Sequence, residues 1–105
     1  MNKKTVTEAI QYRRSVRIFK EEDLDSEKVR NCIYNASLAP NSSNLQTWEF
    51  YHVTDKNVLK DIAKACFNQN AARTANQLVV FVVRKDLWRK RAKANVDFLN
   101  SVFDK

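Results

Sequence analysis

The sequence predicts an α+β domain. Two runs of six residues have strand character: WEFYHV (48–53) is aromatic and β-branched, and LVVFVV (78–83) is an unbroken apolar stretch. The segments around them space their apolar residues as helices do. A chain of 105 residues with 44% hydrophobic side chains makes one domain at most, near the lower end of what encloses a comfortable core.

Taken in order, Thr5 and Glu8 have the spacing of a capping box, and Val6, Ala9 and Ile10 follow at helical intervals, so a short first helix runs to about Arg13. RRSVRIF (13–19) alternates charged with apolar residues and reads as extended. Asp25 or Ser26 caps a second helix carrying Val29, Ile33 and Ala36, and Pro40 marks its end, because the residue before a proline is pushed out of helical geometry. A loop follows in which Asn41, Ser42, Ser43, Asn44 and Gln46, all uncharged hydrogen-bonding residues, surround one leucine in a chain that is 30% charged. Such a loop is suited to bonding a ligand.

WEFYHV should place Trp48, Phe50 and His52 on one face and Glu49, Tyr51 and Val53 on the other. Asp55 caps a third helix with Val58, Leu59, Ile62, Ala63 and Cys66 on one stripe. Residues 67–77 are polar and irregular, with room for a helical turn. LVVFVV implies burial on both faces, and residues 85–105 form a last helix with Leu87, Trp88, Ala92, Val96, Leu99 and Phe103 on its stripe. Two strands do not make an independently stable sheet, so the chain is expected to need partner structure.

Composition narrows the function classes. The chain has no glycine, which excludes a glycine-rich phosphate loop and leaves positive-φ positions to other residues, chiefly its eleven asparagines. The N-terminal MNKK does not begin a signal peptide and the longest apolar run is far short of a membrane span, so a cytoplasmic protein without membrane association is expected. Cys32 and Cys66 lack metal-ligand spacing and are expected to be buried, reduced thiols on apolar helix faces. His52, the one histidine, has no nucleophile or carboxylate spaced to pair with it; neither an acid–base dyad nor a metal cluster emerges, and no catalytic side chain is assigned. The net charge of +7 concentrates in RRSVR and in RKDLWRKRAK (84–93), which reads as the solvated side of an amphipathic helix, with a small nucleic-acid or anion-binding module as the competing reading. Arginines, hydroxyls and amides spread over several loops suit a protein whose reactive centre is a bound cofactor, with cations for a phosphate and neutral donors for a heteroaromatic ring.

RRSVRIF and, at some distance, APNSSNLQTWEF (39–50) resemble the paired signature of the nitroreductase family of flavin-dependent oxidoreductases, Arg-Arg-Ser-x-Arg-x-Phe followed by Ala-Pro-Ser-x-x-Asn-x-Gln-Pro-Trp. FNQ (67–69) and the apolar strand fall where the family has a flavin-contacting asparagine and a central strand. The resemblance implies a nitroreductase-like FMN-binding fold, helices around a mostly antiparallel sheet, in a homodimer with FMN at the subunit interface. Electrons would pass from NADH or NADPH to nitroaromatics, quinones or similar acceptors. Carried over by position, Arg13 and Ser15 would bind the phosphate end, Arg17 and Asn68 the pyrimidine edge of the ring, and Pro40, Asn41, Ser42 and Asn44 the FMN of the partner subunit, with Arg14 a further cofactor-binding residue. Asn41 stands where the family usually has serine, Thr47 where it has proline, and Ala71 where a basic residue is common, with Arg73 close by. The resemblance spans nearly the whole chain but only the N-terminal portion of the family domain. A glycine-containing loop and C-terminal basic residues that hold the phosphate lie beyond it, so the chain alone is expected to be inactive, and a nonfunctional remnant is the third reading.

Overall fold

The computed structural model describes residues 3–104. The expectations for Met1 and Asn2 of MNKK, and for Lys105 at the end of the last helix, fall outside the described residues. Seven regular elements follow in the order α1 (Val6–Tyr12), α2 (Ser26–Ser37), β1 (Trp48–Val53), α3 (Lys56–Ala65), α4 (Asn70–Thr74), β2 (Leu78–Val83) and α5 (Trp88–Phe103), with a 3₁₀ turn at Ser42–Asn44.

Local chemistry sets the boundaries of the first helices. Thr5 Oγ1 accepts from the Glu8 backbone N–H at 3.3 Å while the Thr5 N–H donates to Glu8 Oε2 at 2.7 Å, completing the capping box of α1. Asp25 Oδ1 accepts from the Glu27 N–H at 3.0 Å and starts α2. Asp55 Oδ1 accepts from both Asn57 and Val58, at 2.9 and 3.0 Å, and starts α3. Both strands occupy the expected residues, and α5 begins at Trp88, because Arg84–Leu87 form a turn closed by the Leu87 N–H donating to Arg84 O at 3.2 Å.

The sheet consists of β1 and β2 paired antiparallel, from Trp48 opposite Val83 to Val53 opposite Leu78. Phe50 stands opposite Phe81, their rings edge-to-face at 5.3 Å. Between the strands, α3 and α4 pack together, and Leu59 and Ala63 of α3 are the buried hydrophobic side chains among the described residues. At the other end of the ladder Arg84 joins three segments. Its N–H donates to Thr47 O at 2.6 Å and its guanidinium pairs with Glu49 of β1 and with Asp86, the latter at 2.8 Å.

The connection from α4 into β2 fastens the first third of the chain. Thr74 Oγ1 accepts from the Phe19 N–H at 3.0 Å, and Asn76 Nδ2 donates to Lys20 O at 2.9 Å. Gln77 Nε2 donates to Leu24 O at 2.6 Å and Ser26 Oγ at 3.1 Å. That orientation fixes Gln77 Oε1 as the acceptor from His52 Nε2, 2.6 Å away, so the histidine is a half-buried structural residue of β1.

Several expectations are corrected. β2 is not enclosed: its ladder supplies one neighbour and no helix covers both faces, leaving Phe81 70% and Val83 77% exposed. Cys32 and Cys66 are free but exposed, as are Ala36 and Val58; burial on the α3 stripe is confined to Leu59 and Ala63. The left-handed positions fall on asparagine only at Asn44 and Asn68, the others being Ser43, Gln46 and Phe67. Among the described residues no helix is long and apolar enough to cross a membrane.

The chain is extended for its length. The radius of gyration is 18.6 Å, whereas a compact chain of this length has about 13 Å. α1 and the α5 stripe at Trp88, Val96, Leu99 and Phe103 lie open. Exposed apolar area of this extent favours association. In sedimentation the isolated chain is therefore expected to run as an oligomer or to precipitate; a well-folded, soluble monomer would contradict this reading of the surface.

A second prediction concerns acid. Hydrogen bonding to Arg84, together with its own backbone N–H, lowers the Asp86 carboxyl from its ordinary 3.8 to about 2. A depressed carboxyl pKa stabilises the fold above the ordinary value, and this contribution is lost as pH falls from about 4 to about 2. The pair is solvent-exposed, so salt weakens the effect. NMR titration of the Asp86 carboxyl should give a midpoint near 2 that returns towards 3.8 in Arg84→Met. An ordinary midpoint in the parent chain would remove the pair.

Candidate functional site

The residues assigned to a ligand fall into three groups. The first lies just beyond α1. Arg13 is the C-cap of that helix, and its Nη1 reaches Ser15 Oγ at 3.5 Å. Arg14 Nη1 donates to the carbonyls of Gln11, Tyr12 and Arg13 at 2.7, 3.4 and 2.9 Å, capping the open carbonyl end of α1. All three bonds use one nitrogen, so Nε and Nη2 remain for an anion. Arg17 is exposed and joins no ion pair among the described residues. The segment ends at Phe19, whose backbone is held by Thr74.

The second group is the loop from Pro40 to Gln46. Asn41 organises it: its Oδ1 accepts from the Gln46 N–H at 2.9 Å and its carbonyl from the Asn44 N–H at 3.1 Å. Ser42 O accepts from Leu45 N–H at 3.1 Å. Ser43, Asn44 and Gln46 all have φ of 49°, in the left-handed region where a side chain carries a steric cost. The Ser42, Ser43 and Asn44 side chains are exposed and bond to no described residue. Asn41 is instead committed to the loop itself.

The third group centres on Asn68, at the C-terminal end of α3. Phe67 and Asn68 are both left-handed, with the Asn68 N–H donating to Ala63 O at 2.8 Å and the Phe67 N–H to Lys64 O at 3.0 Å. Asn68 lines an open cavity of about 610 Å³, within the range of small-molecule sites. Leu59 and Ala63 form its apolar floor, and Phe19 contributes from the end of the arginine segment. Lys56, Lys60, Lys64 and Arg73 border it against a single acid, Glu21. Of the nine assigned residues, only Asn68 lines this cavity.

Thus Arg13 meets Ser15, the loop residues meet one another, and Asn68 shares a cavity with Phe19. No hydrogen bond joins one group to another among the described residues. Sequence reading missed two features. Lys56, Lys60 and Lys64 recur every fourth residue, a spacing that places them on one helix face, so this signal was available. Asn95 and Arg91 bond the loop from α5, a long-range pairing with no local signature. The basic run to which Arg91 belongs is consequently not a uniformly solvated face, because Arg84 and Arg91 are both turned to structural partners.

The sequence model of the Nitroreductase family matches residues 10–102. An Archaeoglobus fulgidus protein described as an NADH dehydrogenase/NAD(P)H nitroreductase is 32% identical over 69 residues, spanning 65% of this chain and 40% of the relative. Among solved structures, one described as an NADH oxidase from Clostridium acetobutylicum superposes with a TM-score of 0.65 at 24% identity, covering 84% of this chain and 57% of that one. A nitroreductase-like protein from Streptococcus mutans gives 0.66 at 21% identity, covering 95% and 58%. The chain therefore spans about two-fifths to three-fifths of the length of these relatives, and their common α+β fold is its own. With the family match running from α1 through nearly all of α5, this chain belongs to the nitroreductase family.

Proposed function

We propose that the chain is the N-terminal portion of an FMN-dependent oxidoreductase that takes electrons from NADH or NADPH and passes them to nitroaromatics, quinones or similar acceptors. It would act in the cytoplasm as a homodimer with the cofactor at the subunit interface. The observation that carries this reading is the 40–46 loop: the Asn44, Leu45 and Gln46 amides are bonded within it, while Ser42, Ser43 and Asn44 offer exposed hydroxyls and an amide. Neutral donors and acceptors of this kind suit the polar edge of a heteroaromatic ring, and the arginine segment suits a phosphate, so the donor set fits FMN.

When bound, the flavin would supply the two-electron redox chemistry. The protein's part is to bind and orient. Arg13, the free nitrogens of Arg14, and Ser15 would hold the phosphate end, and Asn68 would hydrogen-bond the ring edge from the cavity rim. Arg17 would set a fixed cation where negative charge develops, stabilising it without reorganisation. Pro40, Asn41, Ser42 and Asn44 would serve the cofactor of the partner subunit. The lengths of the relatives and the open faces of β2 and α5 support a division of the domain, in which a C-terminal portion covers the sheet and adds phosphate ligands.

Co-expression with a matching C-terminal half should yield a yellow protein that releases FMN on denaturation, whereas the 105-residue chain alone should lack substantial NAD(P)H-dependent turnover. A colourless complex that takes up no added FMN would sink the flavin reading, and stoichiometric binding with turnover by the chain alone would sink the division. Arg17→Ala should weaken FMN binding or slow its reduction by removing a charge-assisted contact worth about 1.5 to 3 kcal/mol. Unchanged affinity and reduction rate would remove Arg17 from the site.

A further inference from the structure

The basic run at the start of α5 and the polar loop before β1 meet in the structure. Arg91 Nη1 donates to Leu45 O at 3.2 Å and to Gln46 O at 2.9 Å, and Asn95 Nδ2 donates to Ser43 O at 2.6 Å. Four residues apart, these side chains share one face of α5. They take three of the four carbonyls of residues 43–46, the stretch in which Ser43, Asn44 and Gln46 are left-handed. A run of such conformations without glycine persists only where surrounding bonds over-determine it. Here the Asn44, Leu45 and Gln46 amides are bonded from within the loop, through Asn41 and Ser42, and the Ser43, Leu45 and Gln46 carbonyls from α5. What remains open is the set of Ser42, Ser43 and Asn44 side chains.

We propose that Arg91 and Asn95 are positioning residues for cofactor binding: they fix the 43–46 backbone in the conformation that presents Ser42, Ser43 and Asn44 to a flavin. This inference rests on the flavin reading above. It also accounts for an arginine inside a run otherwise read as solvated. A guanidinium spans two successive carbonyls with a planar, permanently charged donor, whereas a lysine in its place offers a point charge on a flexible stem. The electrostatic consequence is that the loop carries no charge of its own and borrows one from α5, on the backbone side of the chain.

The test uses Arg91→Met, Arg91→Lys and Asn95→Ala, each in the full chain co-expressed with the matching C-terminal half. The first readout is amide hydrogen exchange at Asn44, Leu45 and Gln46. Arg91→Met and Asn95→Ala should raise exchange there about tenfold or more, the scale of losing a hydrogen bond to a charged or well-ordered donor, and weaken FMN binding by a similar factor. Arg91→Lys should recover part of both losses. Exchange in the β1–β2 ladder should not change, which separates loop positioning from general destabilisation; if Arg91→Met fails to fold, Arg91→Lys and Asn95→Ala carry the measurement. Parent-like exchange at the three amides, or a loosened loop with parent-like FMN affinity, overturns the proposal. Equal loosening of loop and ladder also overturns it, in favour of a purely structural role. Failure of the flavin reading is visible separately, as a parent complex that takes up no FMN, and the positioning role falls with it.

Discussion

With Leu59 and Ala63 as the buried hydrophobic side chains among its described residues, the chain has little core to hold it, and its shape depends on the antiparallel ladder from Trp48–Val83 to Val53–Leu78. Every long-range tie described above attaches close to an end of that ladder. At one end, Gln77, held by His52, reaches Leu24 and Ser26, and Thr74 and Asn76 hold Phe19 and Lys20. At the other, Arg84 gathers Thr47, Glu49 and Asp86, and α5 leaves in a direction that lets Arg91 and Asn95 reach the loop ahead of β1. Removing the ladder would loosen both ligand-directed segments, since the bonds that hold them start from residues placed by it. Most of these ties are exposed hydrogen bonds of modest net worth, about 0.5 to 1.5 kcal/mol each, so they specify geometry more than they supply stability.

That division explains which parts of the fold were legible in the sequence. The starts of α1, α2 and α3 were, because Thr5, Asp25 and Asp55 act on amides two or three residues away and need nothing distant. The strands were as well, since WEFYHV and LVVFVV have no competing helical period. Burial was not. LVVFVV reads as enclosed because apolar strands ordinarily are, but enclosure is supplied by neighbours, and one ladder supplies only one. The same reasoning applies to Cys32 and Cys66: their helix faces are apolar as expected, but the cover over α3 reaches Leu59 and Ala63 and not Cys66, and Cys32 is exposed on α2.

The candidate site divides along a similar line. The motifs RRSVRIF and APNSSNLQTWEF are contiguous strings, so the family could be read from them directly, and the family match over residues 10–102 agrees. How the strings are held could not be read, because the holding residues lie far away in sequence. Thr74 is 55 residues from Phe19, and Asn95 is 52 from Ser43. An asparagine in the middle of a helix has no local mark that distinguishes a solvated amide from one donating to a remote carbonyl. The lysine row of α3 is the converse case, with a plain spacing whose meaning emerges only when Leu59, Ala63 and Asn68 are seen to share its cavity.

The absence of glycine ties these observations together. A chain with glycine at a left-handed position needs no outside help there, because no Cβ opposes the conformation. This chain places serine, asparagine and glutamine at φ of 49° within four residues, and phenylalanine and asparagine at 56° and 52° after α3. The second pair is stabilised locally, by backbone bonds back to Ala63 and Lys64 that close the helix end. The first set has no helix to close, and it is the set met by Arg91 and Asn95. Where the backbone conformation could be secured by adjacent residues, no distant donor is recruited; where it could not, one turn of α5 supplies three hydrogen bonds. The steric demand of a glycine-free loop thus gives a physical reason for the basic run to lie against it, and makes the last helix part of the loop's architecture.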